Sequence, residues 1–103
     1  MGNILKLTLS RGPFEVMETG EKLKEYREKS KWIKSRLQHP DGSDKIYSSV
    51  QFTNGYGSKC PRFECVYLGY TVAETDFTIG PYSNGLEVSV KRGDFIINLG
   101  PKI

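Results

Sequence analysis

Residues 20 to 27 read Gly20-Glu21-Lys22-Leu23-Lys24-Glu25-Tyr26-Arg27, which places a carboxylate among basic side chains directly after a glycine able to end a helix. The local structure of this stretch is ambiguous. Apolar residues recur at near-helical spacing from Leu23 to Leu37, and Lys and Glu favour helix, so one long amphipathic helix is indicated. An extended segment over about residues 22–27 would instead place Leu23, Glu25 and Arg27 on one face of a strand.

Length and composition indicate one globular domain over residues 1–103. The chain is 37% hydrophobic and 26% charged, with five Phe and six Tyr, which is too apolar for a disordered chain and too polar for a membrane protein. No apolar run approaches the ~20 residues that cross a bilayer. The first residues lack the basic and apolar segments of a secretory signal. We therefore expect a cytoplasmic protein without membrane contact.

The cysteines indicate neither a disulfide framework nor a metal centre. Cys60 and Cys65 are the only cysteines, which is too few for a disulfide framework. Together with His39, the single histidine, they supply only three of the four ligands of a tetrahedral zinc site. We expect both thiols to be reduced, and their proximity in sequence leaves a local disulfide open. The sequence contains no Walker loop and no dinucleotide motif, so we predict no metal and no cofactor.

Positive charge is concentrated in one segment. The net charge is +3, and residues 20–38 hold seven basic side chains against three acidic ones. Such a segment attracts polyanions such as RNA, although a solvated helix face with Glu–Lys pairs is the simpler explanation of the charge alone. In the first interpretation, sequence-independent contacts to a nucleic-acid backbone come from Lys29, Lys31, Lys34 and Arg36.

Hydrophobic periodicity predicts a strand-rich fold. Alternating leucines predict a strand over about residues 5–9, and a two-turn helix follows from Pro13 to Gly20. A strand is predicted over about residues 46–53, with Ile46, Val50 and Phe52 on one side. A longer strand over about residues 63–72 is predicted to bend at Gly69. The last two predicted strands, over about residues 86–90 and 95–99, form a hairpin. Five to six strands and two short early helices predict an α+β fold built on a small, mostly antiparallel β-barrel.

Gly20, Lys22, Glu25 and Arg27 form the pattern Gly-x-Lys-x-x-Glu-x-Arg, which resembles the signature of ASCH domains, small PUA-like barrels linked to RNA. The order of the surrounding elements and the closing segment from Asp94 to Gly100 are also similar, so the likeness covers nearly the whole chain. It implies a PUA-like barrel with a strand over about residues 22–27 and a helix over about residues 30–37 capped by Ser30. We adopt this strand assignment.

The resemblance further implies a cleft suited to RNA or a modified nucleoside, lined by the signature residues. Arg27 offers a planar fork for a phosphate or a base edge, and Lys22 offers a point charge. Glu25 could orient Arg27, accept a hydrogen bond from an exocyclic amine of a base, or act as a general base. Alternatively, Glu25 and Arg27 form a buried pair that closes one end of the barrel and binds nothing.

Aromatic residues add candidate stacking surfaces for unpaired bases. Tyr56 lies between two glycines in a predicted loop, and Tyr26 lies within the signature. Trp32 is a third candidate, but its position beside Ile33 predicts that it anchors the helix in the core.

The predicted function is binding of RNA or a nucleoside-like ligand by Gly20, Lys22, Glu25, Arg27 and Tyr56. One alternative is a small hydrolase, an amidohydrolase or a ribonuclease, in which Lys22 and Glu25 are catalytic. A branch resembling this domain removes the acetyl group of acetylcytidine, but it carries Thr at the position of Glu25, so this chain departs from it. A protein-interaction module whose basic helix meets an acidic partner is the other alternative. The sequence predicts no oligomeric state.

Overall fold

The computed structural model describes residues 3–57 and 59–103, and within those ranges the protein has an α+β fold of two helices and seven strands. The elements in chain order are β1 (Ile4–Leu9), α1 (Arg11–Glu18), β2 (Lys24–Arg27), α2 (Lys31–Leu37), β3 (Ser49–Asn54), β4 (Arg62–Val72), β5 (Phe77–Ile79), β6 (Val88–Val90) and β7 (Phe95–Lys102).

Five strands form one mixed sheet in the order β1-β3-β4-β7-β2. β1 pairs with β3 in parallel, whereas β3 with β4, β4 with β7, and β7 with β2 pair antiparallel. β5 and β6 form a separate two-stranded antiparallel ribbon. The predicted α+β class is confirmed, and the long helix that periodicity allowed over residues 21–37 is excluded because β2 pairs with β7 from Lys24 to Arg27.

The sheet is curled into a half-barrel, and the Arg27 side chain bridges its two edge strands. Neighbouring strands are ~4.8 Å apart, so a flat sheet would separate β1 from β2 by roughly 19 Å. Instead, Arg27 Nη2 on β2 donates to the main-chain oxygen of Thr8 on β1 at 2.8 Å. The long strand β4 carries a bend with register shifts between Cys65 and Tyr70, where Gly69 has a φ of +88°, as the sequence predicted.

The core lies on the concave face of the sheet and is closed by one face of each helix. α1 contributes Phe14 and Met17, and α2 contributes Ile33 and Leu37, which are one turn apart. The hydroxyl of Ser30 accepts from Ile33 N at 3.2 Å, which confirms the predicted cap of α2. Neither helix has the length and apolar character of a membrane span, and no other helix occurs in the described ranges.

Two side chains predicted to be buried are exposed. Trp32 is 51% exposed because Ile33 and Leu37 occupy the core face of α2, and its ring packs 5.1 Å from the Arg36 guanidinium instead. Ile46 is 85% exposed because β3 begins only at Ser49, so residue 46 lies outside the alternation that buries Val50 and Phe52.

The predicted hairpin of the last two strands is wrong. β6 pairs with β5, a strand that periodicity did not reveal, and β7 lies between β4 and β2. The turn itself exists, since Asp94 N donates to Lys91 O at 2.9 Å. Both edges of β7 are occupied by other strands, so no edge is left for β6.

Candidate functional site

Lys22, Glu25 and Arg27 meet at β2 and share ion pairs. Glu25 Oε1 accepts from Lys22 Nζ at 3.1 Å, and its Oε2 accepts from Arg27 Nε at 2.8 Å. The side chains are 2%, 6% and 23% exposed in the order Lys22, Glu25, Arg27. We call this group the triad. Two cations share one carboxylate, so the triad carries a net positive charge in a largely dry environment.

The conformation of the chain at the end of α1 places Lys22 beside Glu25. Gly20 adopts a φ of +85°, and Lys22 N donates to Val16 O at 2.9 Å, which folds the chain back under the helix before β2 begins. Leu23 is exposed rather than sharing the buried face with Glu25, since β2 starts only at Lys24. The signature glycine therefore has a structural role in placing Lys22.

The ammonium of Lys22 is enclosed by acceptors. Besides Glu25, its Nζ donates to Lys24 O at 2.6 Å and contacts Met17 Sδ at 3.6 Å. Burial lowers the pKa of Lys22, and the charge of Glu25 partly opposes that effect. Its three donors are thus used inside the protein.

Arg27 divides its donors between the fold and an open surface. Nε binds Glu25 and Nη2 binds Thr8 O, while Nη1 makes no hydrogen bond with the residues that the structure describes. Arg27 is also the most exposed member of the triad. Its guanidinium is therefore the group that can reach a ligand.

The triad forms the floor of a hollow of about 270 Å³, which we call the triad cleft. One wall comes from the corner between β1 and α1, and the other comes from β2 and β6. The residues that line the triad cleft are Thr8, Leu9, Ser10, Pro13, Lys22, Glu25, Tyr26, Arg27 and Val88. The main-chain groups of this corner and the triad put polar atoms around an open space, which suits a ligand that mixes charge and hydrogen-bonding groups.

Tyr26 supplies an aromatic wall to the triad cleft. Its ring packs edge-on against Phe77 with centroids 6.2 Å apart, and Lys22 Nζ lies 5.1 Å from its centroid. Burial raises the pKa of the Tyr26 hydroxyl, so the ring stays neutral under physiological conditions. A second hollow of about 370 Å³ is also lined by Tyr26 and Val88, together with Lys91, so Tyr26 faces both hollows.

Comparison with known proteins assigns no family. No protein-family model, no curated protein and no solved structure matches the chain. The resemblance to ASCH domains depends on the signature residues and on the order of the elements around them, and it stays a prediction.

Other predicted ligand contacts lie apart from the triad cleft. Gly20 lines a different hollow of about 260 Å³, between the end of α1 and strands β4 and β7. Tyr56 is 88% exposed in the loop after β3 and does not line the triad cleft. The predicted backbone contacts are all exposed and also lie outside it; they are Lys29, Lys31, Lys34 and Arg36.

Several residues of the cleft were not apparent in the sequence. Thr8, Ser10 and Val88 carry no motif, and they join the cleft only because β1 and β6 approach β2 in the folded chain. The described residues contain no group of three or more His, Cys, Asp or Glu side chains that could hold a metal ion. Cys60 and Cys65 are unpaired, so the local disulfide that their spacing left open is not formed.

Proposed function

We propose that this protein is an ASCH domain of the PUA-like type that binds RNA or a nucleoside-like ligand in the triad cleft. The observation that carries the proposal is the charge of the triad: two cations share one carboxylate beneath an open hollow. A ligand phosphate or other anion would complete this set of charges, because charge-assisted hydrogen bonds are strongest where water is excluded. The unpaired cysteines and an RNA ligand suit the cytoplasmic location predicted from the sequence.

Each residue has a distinct part in such binding. Arg27 presents the donors of its guanidinium edge to a phosphate oxygen or a base edge. Glu25 fixes the orientation of Arg27 through the 2.8 Å bond to Nε. Lys22 supports the positive potential from below without direct contact, since its donors are used within the protein. Tyr26 offers a ring for base stacking, which is worth ~1–3 kcal/mol per base.

The test is the affinity of a fluorescein-labelled single-stranded RNA oligonucleotide, measured by anisotropy at several salt concentrations. Arg27→Ala is expected to weaken binding by about tenfold or more, because a charge-assisted contact is lost. Arg27→Lys keeps the charge but lacks the planar guanidinium, so its affinity for the RNA should lie between those of the wild type and Arg27→Ala. Lys6→Ala removes the same charge from an exposed position on β1 and serves as the control.

Thermal unfolding must show that each variant is folded at the assay temperature. If Lys6→Ala weakens binding as much as Arg27→Ala, the RNA senses only the overall charge of the protein and the triad cleft is not its site. If Arg27→Ala binds like the wild type, the proposal fails directly.

A hydrolytic function has one observation in its favour. Burial lowers the pKa of Lys22, Glu25 Oε1 lies 3.1 Å from its Nζ, and an ammonium with a lowered pKa beside a carboxylate occurs in acid–base sites. Incubation with acetylcytidine and with single-stranded RNA, followed by chromatography, tests it. Turnover that is lost in Glu25→Gln and Lys22→Met would support the hydrolase, whereas absence of product from either substrate would eliminate it.

A further inference from the structure

The end of α2 carries a second charged hollow, which is separate from the triad cleft. It has a volume of about 320 Å³, and we call it the basic hollow. Its lining residues are Lys31, Lys34, Ser35, Gln38, His39, Pro40 and Lys45. Three lysines and the single histidine thus surround one concavity, and no carboxylate lines it.

Local folding explains why these residues meet. Lys31 and Lys34 lie one turn apart on α2, and Gln38 is the residue at which the helix ends. A tight turn then reverses the chain, with His39 N donating to Ser43 O at 2.7 Å. Lys45 N donates to Leu37 O at 2.9 Å, which returns Lys45 to the side of the helix. The main chain therefore fixes the fourth basic group against the other three.

The carboxylates of the segment that follows α2 have other partners. Asp41 accepts from both the main-chain nitrogen and the hydroxyl of Ser43, at 2.9 and 2.6 Å. Asp44 accepts from the Tyr70 hydroxyl at 2.6 Å, and Tyr70 in turn accepts from Gln38 Nε2. None of the three lysines forms an ion pair with any residue in the described ranges. Their charge is left for a ligand.

Helix stability alone does not account for this arrangement. A cation near the last turn of a helix interacts favourably with its carbonyl groups, which explains Lys34. Lys45 is not part of the helix, and its charge adds to the repulsion among the lysines. The concentration of unpaired like charges in one concavity indicates an anionic occupant.

We propose that the basic hollow is a phosphate-binding site. A phosphate group offers several acceptor oxygens and a charge greater than one, so it can accept from Lys31, Lys34 and Lys45 together, whereas a carboxylate offers two oxygens and a single charge. The His39 ring can donate one further hydrogen bond through an N–H in either protonation state. The site does not depend on the triad cleft, and its phosphate can belong to a free polyphosphate or to a nucleic-acid backbone.

The experiment is an NMR titration of the ¹⁵N-labelled protein with three probes: sodium tripolyphosphate, oligouridylate and oligoglutamate. The proposal expects amide shifts from tripolyphosphate to centre on Ser35, Gln38 and His39. Lys34→Ala/Lys45→Ala should weaken tripolyphosphate binding by roughly tenfold, because two direct cation–phosphate contacts are removed. Lys6→Ala/Lys59→Ala removes the same charge from two exposed positions and should change the affinity less than twofold, a small screened effect.

The probes also identify the source of the phosphate. Oligouridylate binding that falls in Lys34→Ala/Lys45→Ala indicates a nucleic-acid backbone, and binding of tripolyphosphate alone indicates a small phosphorylated ligand. Tripolyphosphate shifts that centre on Thr8, Tyr26 and Arg27 instead would place the phosphate in the triad cleft and overturn the proposal. Equal losses in the two double variants, or oligoglutamate binding as tight as that of tripolyphosphate, would overturn the proposal.

Discussion

Arg27 Nη2 on β2 donates to the carbonyl oxygen of Thr8 on β1 at 2.8 Å, and this bond joins the two outermost strands of the five-stranded sheet. The same guanidinium holds Glu25 through Nε at 2.8 Å. One side chain therefore maintains the curl of the half-barrel, neutralises a buried carboxylate and presents a free edge to the triad cleft. A ligand that engages Arg27 acts on a group that also determines the fold.

Arg27→Ala is expected to lower the free energy of unfolding by about 2–4 kcal/mol, because Glu25 loses a charged partner and the bond between the sheet edges is lost. Urea denaturation monitored by circular dichroism measures this change. Arg11→Ala removes an exposed pair with Glu15 and should change the free energy of unfolding much less, because solvent screens exposed charges. Equal losses in the two variants would show that Arg27 behaves as an ordinary surface residue.

Glu25→Gln tests the electrostatics of the triad. The substitution leaves Lys22 and Arg27 without their shared carboxylate, and we expect a loss of about 3–5 kcal/mol because a buried charge remains uncompensated. Lys22→Met should cost less, since Glu25 keeps Arg27. The double variant Lys22→Met/Glu25→Gln should be more stable than the sum of the single losses predicts, by more than about 1 kcal/mol.

These four proteins form a double-mutant cycle. Urea unfolding of the wild type, of both single variants and of the double variant measures its four free energies of unfolding. Additive losses, within about 0.5 kcal/mol, would mean that Lys22 and Glu25 do not stabilise each other in the folded protein.

Features encoded by neighbouring residues could be predicted from the sequence. The alternation of Leu5, Leu7 and Leu9 predicted β1, Ser30 predicted the start of α2, and Gly69 predicted the bend in β4. Each depends on side-chain periodicity, on a cap or on a positive φ, which are local properties. Strand alternation likewise predicted that Glu25 and Arg27 lie together, whereas Lys22 was assigned to the site only by the ASCH resemblance and joins them because the chain folds back after α1.

Features that depend on distant partners could not be predicted in this way. The turn between the two predicted strands over 86–90 and 95–99 exists, but the choice of β5 as the partner of β6 depends on which strand edges remain free after β7 has paired on both sides. Thr8 and Val88 enter the triad cleft for the same reason. The prediction that Trp32 is buried was wrong, because the sequence around it allows either of two faces of α2 to pack on the core. Only the packing of the folded chain determines which face is buried.

Tyr67 provides a prediction of pH dependence. Its hydroxyl is buried without a hydrogen-bond partner in the described ranges, and burial, with smaller effects of Tyr47, Tyr70 and Asp44, raises its pKa to about 12. The unfolded chain releases this proton near pH 10, earlier than the folded protein, so the stabilisation from Tyr67 is full below that pH and is lost as the pH rises toward 12. Stability should therefore decline more steeply above pH 10 in the wild type than in Tyr67→Phe.

Urea midpoints at pH 8 and pH 11 measure this difference, and the comparison with Tyr67→Phe removes the contribution of the other tyrosines. At pH 8 the variant should be as stable as the wild type or more stable, by up to about 1 kcal/mol, because a buried hydroxyl without a partner is removed. Parallel pH profiles for the two proteins would contradict the assignment of the buried proton to Tyr67.

The two cysteines should differ sharply in reactivity. Cys65 is buried in the core, and burial raises the pKa of its thiol to about 11, so almost none of it is thiolate at pH 8. Cys60 is half-buried in the loop before β4 and remains accessible. Ellman's reagent at pH 8 should therefore react with one thiol quickly in the native protein and with two in urea. The fast phase should disappear in Cys60→Ser and persist in Cys65→Ser, and the reverse pattern would mean that the core around Cys65 opens readily.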